Sequence, residues 1–167
     1  DSDFLIFNPE QFRLPRDIHE GLGYALGREV WVQTTVDGGL KAYKKVHNAA
    51  LYFDKANVFT DFYIAHAHRF LSSLQGNVPP QFIGPKLLTA LHNIVACPVM
   101  ESAGMFSPLV VRDIINGGGD ALSLMLKKSQ CPPKGANLCS SMVAAAQLHD
   151  AEMETAVECL LTANLFR

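Results

Sequence analysis

The chain has 167 residues, 49% of them apolar, with 14 Lys and Arg set against 16 Asp and Glu for a net charge of −2. That length and composition suit one globular domain with a sizeable core, and they exclude disordered and collagen-like classes. The near-neutral balance excludes a general field steering the whole protein to nucleic acid or anionic membrane, so any such contact has to come from a local patch.

No apolar run approaches the roughly 20 residues of a membrane-spanning helix. The N-terminus lacks the pattern of a secretory signal and does not begin with Met, so residues 1–167 read as a single domain, processed or excised from a longer chain. Cys97, Cys131, Cys139 and Cys159 include no CxxC pair. They read as reduced thiols of an intracellular, most naturally cytoplasmic, protein rather than as a disulfide framework or zinc site.

In chain order, FLIF (Phe4 to Phe7) is apolar and β-prone but stands alone, so residues 1–8 form a short strand or an arm. Asn8 and Pro9 then carry the N-cap and first-turn signals of a helix, and PRDIHEGLGYALG predicts a second short helix weakened by Gly21 and Gly23. Residues 29–46, EVWVQTTVDGGLKAYKKV, switch to period two around a DGG turn and predict a β-hairpin. A three-residue loop, Asp37 to Gly39, would pair Val36 with Leu40, Val32 with Lys44 and Val30 with Val46. One face is then nearly all apolar, whereas a two-residue loop would mix the faces. The other face carries Trp31, Gln33, Thr35, Lys41, Tyr43 and Lys45, with Trp31 opposite Lys45 and diagonal to Tyr43.

The remainder predicts helices: a short one over 48–55, a long one from an Asn57 cap to about Gly76, one from Pro85 to about Cys97, and one over SPLVVRDIING. Asp120, Asn137 and Asp150 are read as caps of three more, the last with Met153, Ala156, Val157, Leu160 and Leu161 at helical spacing. The expected fold is therefore mainly α: a multi-helix globular domain with one β-hairpin near the N-terminus, about residues 29–46.

The most chemical-looking stretch is FYIAHAHRF, residues 62–70. Phe59, Phe62, Tyr63, Ala67 and Phe70 follow the helical template, and residues two apart on a helix diverge by about 200°, so His66 and His68 do not share an ion. No HExxH, no G-x-S-x-G and no Walker lysine occurs, so no metal, no cofactor and no catalytic residue is assigned.

More informative is the second hairpin face. Aromatic rings stack on bases and ammonium groups meet phosphates, so Trp31, Lys41, Tyr43 and Lys45 are the candidate contacts to single-stranded nucleic acid. The apolar ends, Phe4, Leu5, Ile6, Phe7 and, within 163–167, Phe166, are candidate oligomer contacts, read as arms in a neighbouring subunit's groove. The expected function is a non-enzymatic assembly or binding domain, a homo-oligomer with single-stranded nucleic acid as its partner and no membrane. The alternative is a small helical enzyme or ligand binder whose pocket uses His66, His92 or Cys131.

Overall fold

Valines and threonines alternating with polar residues favour extended backbone, and the strands they build are longer than that pattern alone implies. The computed structural model describes residues 2–14, 22–79, 81–139, 142, 148–162 and 165–166. Its centre is an antiparallel pair, β2 (Tyr24–Thr34) and β3 (Leu40–Phe53), preceded by β1 (Phe4–Ile6). After these come α1 (Val58–Ser73), a π-helical turn (Phe82–Lys86), α2 (Leu87–Val95), β4 (Val99–Met100) and β5 (Ala103–Met105). The chain closes with α3 (Pro108–Ile115), α4 (Asp120–Lys128), β6 (Gly135–Asn137) and α5 (Asp150–Thr162).

The strands form two three-stranded sheets, ordered β3-β2-β4 and β1-β6-β5. β4 lies parallel to β2 and β5 parallel to β6, while β1 runs antiparallel to β6. The fold is thus mixed α/β, which corrects the expectation of a mainly α domain with a single hairpin. Residues 48–53, expected in a short helix, instead prolong β3. FLIF supplies β1, one of the two readings given it, whereas β4, β5 and β6 are two or three residues long and pair with distant segments, so no local period announces them. Asn8 does cap, but only a turn: its side chain and carbonyl accept from the Gln11 N–H at 3.3 Å. Asn137, expected to cap a helix, is the last residue of β6. The helix expected across Gly21 and Gly23 falls partly outside the described residues, and its last residues, Tyr24 to Leu26, are strand.

The main core lies where Val30 and Val32 of the hairpin meet α3, α4 and α5. Val110, Val111 and Ile114 of α3, with Leu122 and Met125 of α4, recur on one face of each helix, and each such side chain contributes about 1.5–3 kcal/mol by leaving water. A second cluster joins Leu26 and Val46 to Leu87, Leu88 and Leu91 of α2 and to Phe59 of α1, whose ring stacks on Tyr24 at 4.2 Å between centroids. Asn57 starts α1 as expected, its side chain accepting from the Phe59 N–H at 2.9 Å.

Candidate functional site

The hairpin pairs Thr34 with Leu40, Val32 with Ala42, Trp31 with Tyr43, Val30 with Lys44 and Glu29 with Lys45. This register lies two residues from the expected one, because pairing stops at Thr34 and residues 35–39 form the connection. Thr35 holds that connection together: its N–H donates to the Gly39 carbonyl at 2.8 Å and its hydroxyl bonds the Asp37 carboxylate and the Gly39 carbonyl. Gly38, at φ +83°, takes the left-handed position. Val36, expected to pair with Leu40, is fully exposed in this loop. A slip of two preserves every side chain's face, so Trp31, Gln33, Lys41, Tyr43 and Lys45 still share one surface. The correction is in the neighbours. Trp31 stands opposite Tyr43, the Lys41 ammonium lies 5.0 Å from the centre of the Tyr43 ring, and Lys45 is opposite Glu29.

The same face continues into a cleft of about 730 Å³ between the hairpin, the start of α2 and the segment after β6. Trp31, Glu29, Lys45, Lys86, Asn48 and Cys139 are among the residues lining it. Glu29 is only 5% exposed, and its carboxylate is 3.9 Å from the Lys45 ammonium, beyond hydrogen-bond length. Burial raises its pKa, with Lys45 pulling the other way. Burial, reinforced by the charges of Glu29 and Asp3, pushes the Cys139 thiol up to about 12, so it stays protonated and is a poor nucleophile. The cleft can hold a ligand bearing both an anionic group and hydrogen-bond donors.

A break in the ladder positions Asn48 at this site. Leu26 pairs with Leu51 but Gly27 with His47, so residues 48–50 bulge from β3. His47 repairs the gap: its Nε2–H donates to the Ala103 carbonyl at 3.0 Å and its Nδ1 accepts from the Ala49 N–H at 3.1 Å. On the far edge, the Thr89 hydroxyl of α2 donates to the Val46 carbonyl at 3.2 Å and ties the helix to the hairpin.

The terminal candidates are engaged within the chain. Phe4, Leu5 and Ile6 form β1 and pair with Asn137, Ala136 and Gly135. The Phe166 ring lies 5.2 Å from Phe7 and 5.5 Å from Phe106, and the Lys134 ammonium donates to its carbonyl at 2.7 Å. Residues 163, 164 and 167 of that arm lie outside the described residues.

His66 and His68 both fall on α1. The His66 Nδ1–H donates to the Phe62 carbonyl at 2.8 Å and its ring rests on Phe62, while His68 is exposed. His92 lies on α2, with burial depressing its pKa, and burial raises the Cys131 thiol. None of His66, His92 and Cys131 lines the cleft. The residues that sequence reasoning missed are Glu29, Asn48, Lys86 and Cys139. Only Glu29 had a signal, since the period-two parity that selects Trp31 and Gln33 extends back to it. No family model matches this chain, and no curated protein or solved structure shows significant similarity to it.

Proposed function

We propose that this chain is a non-enzymatic binding and assembly domain whose hairpin face takes single-stranded nucleic acid. The observation that carries the reading is the cross-strand pair of Trp31 and Tyr43 with Lys41 and Lys45 on the same face, opening into a cleft whose far wall carries Lys86. Adjacent rings offer stacking surfaces for successive bases, and ammonium groups beside them meet the phosphates, which is the chemistry of sequence-tolerant strand binding. Fluorescence anisotropy with labelled single-stranded oligonucleotides tests it: saturable, salt-dependent binding is the expected result, and its absence at low salt ends the reading.

A second reading, self-association, is favoured by a different surface. Val58, Phe62, Ile64, Phe70 and Leu71 of α1 are exposed, as are Ile94 and Val95 at the end of α2. Val58, Phe62 and Val95 line one apolar groove of about 690 Å³. Apolar grooves of this kind are where partner surfaces dock, which supports the reading. Among the described residues no helix is long and apolar enough to cross a membrane. Light-scattering mass over a concentration series tests assembly, and a monomer mass throughout removes it.

A further inference from the structure

The strand-binding reading accounts for Trp31, Tyr43 and the lysines but leaves Glu29 unused. A carboxylate has room for about four hydrogen bonds and accepts two parallel donors well. Glu29 is buried in the cleft, two residues along β2 from Trp31 and on the same face, and its carboxylate lies 3.9 Å from the Lys45 ammonium. A largely buried carboxylate whose oxygens open on a cleft is stabilised by each donor that reaches it, and the cleft is the side from which a ligand supplies one. The same cleft is lined by Lys45 and Lys86 as well as by Asp3 and Glu29, so its two ammonium groups can meet an anionic group while its carboxylates meet donors.

Together with the ring of Trp31, these features describe a nucleotide whose base presents two adjacent N–H donors. Among the common bases only guanine does so, through N1–H and the N2 amino group. Adenine and cytosine each set a donor beside an acceptor, and uracil flanks its single N–H with carbonyls.

Resting on the nucleic-acid reading above, we infer that the cleft is a guanine-nucleotide pocket: Trp31 stacks on the base, Glu29 accepts from N1–H and N2–H, and Lys86 on the far wall faces the phosphate. The pocket supplies a base preference at one position of an otherwise sequence-tolerant strand, since recognition of single strands reads such exposed base edges. A free guanine nucleotide has the same chemistry, and the test separates the two sources.

Trp31 is the single tryptophan of the chain, so its fluorescence reports on this site. Short uridine oligonucleotides carrying one central guanosine, inosine or uridine are titrated by anisotropy, and GMP and UMP are titrated by Trp31 fluorescence, against the wild type and Glu29→Gln. The expected result is a preference of at least about fivefold for guanosine over uridine, the lower end of what a bidentate base contact discriminates. Inosine, which lacks the N2 amino group, loses most of that preference. Glu29→Gln loses the preference and binds the guanosine and uridine strands with equal affinity. Equal affinity of the wild type for all three strands overturns the pocket while leaving strand binding in place. If no strand binds, the strand reading fails by itself. Saturable quenching by GMP and not UMP then supports the pocket as a site for free nucleotide, and its absence overturns the pocket too. If Glu29→Gln does not fold, the inosine series on the wild type decides alone.

Discussion

The imidazole of His47 fills the space that a side chain on Gly27 would need. A Cβ built on Gly27 would lie 2.3 Å from both Cε1 and Nε2 of His47, and the ring is fully buried between the two sheets. Gly27→Ala therefore has to expel the ring or shift the strand, and either breaks its bonds to Ala103 and Ala49. Overpacking of this kind costs about 1–3 kcal/mol, with a further 1–3 kcal/mol for polar groups left unpaired. Urea unfolding of the variant should show a loss in that summed range, and a change under about 0.5 kcal/mol would mean that the ring is not held there.

His47 also sets an acid limit on stability. Burial lowers its pKa from 6.5 to about 4. Between these values the unfolded chain binds a proton that the folded chain refuses, so stability is lost as pH falls through that window, by roughly 3 kcal/mol in all. Glu29 acts oppositely: its raised pKa favours the folded state at low pH and that contribution is lost as pH rises through the folded value. NMR titration of the imidazole protons isolates His47, and a midpoint near 6.5 would contradict its burial.

On the hairpin, Lys41→Glu should leave folding intact, since Lys41 is exposed and contacts only the Tyr43 ring among the interactions described. Strand affinity should fall and the salt slope flatten by about one phosphate contact. Lys45→Glu is not equivalent, because it sets a second carboxylate beside buried Glu29. That variant should lose stability as well, and thermal melts of the two run side by side distinguish them.

Trp31 is half-buried, so Trp31→Ala should cost less stability than the roughly 3–5 kcal/mol of a full core truncation. It should weaken strand binding by about 1–3 kcal/mol for the base it supports. Anisotropy that is unchanged in a folded variant would take Trp31 out of the interface.

The two apolar surfaces respond differently to mutation. Phe166→Ala removes a ring packed on Phe7 and Phe106 in the chain's own core and should cost about 3–5 kcal/mol. Val58→Ser with Val95→Ser, on exposed positions of α1 and α2 that line the groove, should change stability by less than about 1 kcal/mol and lower the light-scattering mass. An unchanged oligomer mass would move the assembly surface away from this groove.

Elements whose signals lie within a few residues of one another were legible in the sequence. Asn57 with its following aromatics determined α1, Pro108 and the valines determined α3, and the alternation around Asp37-Gly38-Gly39 determined that there is a hairpin and which of its side chains share a face. Parity survives a shift of two residues, which is why Trp31, Lys41, Tyr43 and Lys45 stay together although Trp31 faces Tyr43 and not Lys45. The register itself depended on Thr35 bonding to Asp37 and Gly39, and the helix-or-strand choice over residues 48–53 on pairing with Tyr24 to Leu26 across the bulge. Only the structure decided those: the register turned on side-chain bonds within the loop that alternation does not reveal, while the extension of β3 and the strands β4, β5 and β6 draw their hydrogen bonds from segments far away in sequence. The cleft is of the same kind: Glu29, Lys86 and Cys139 come from three distant segments, and burial alone distinguishes Glu29 from any solvated carboxylate.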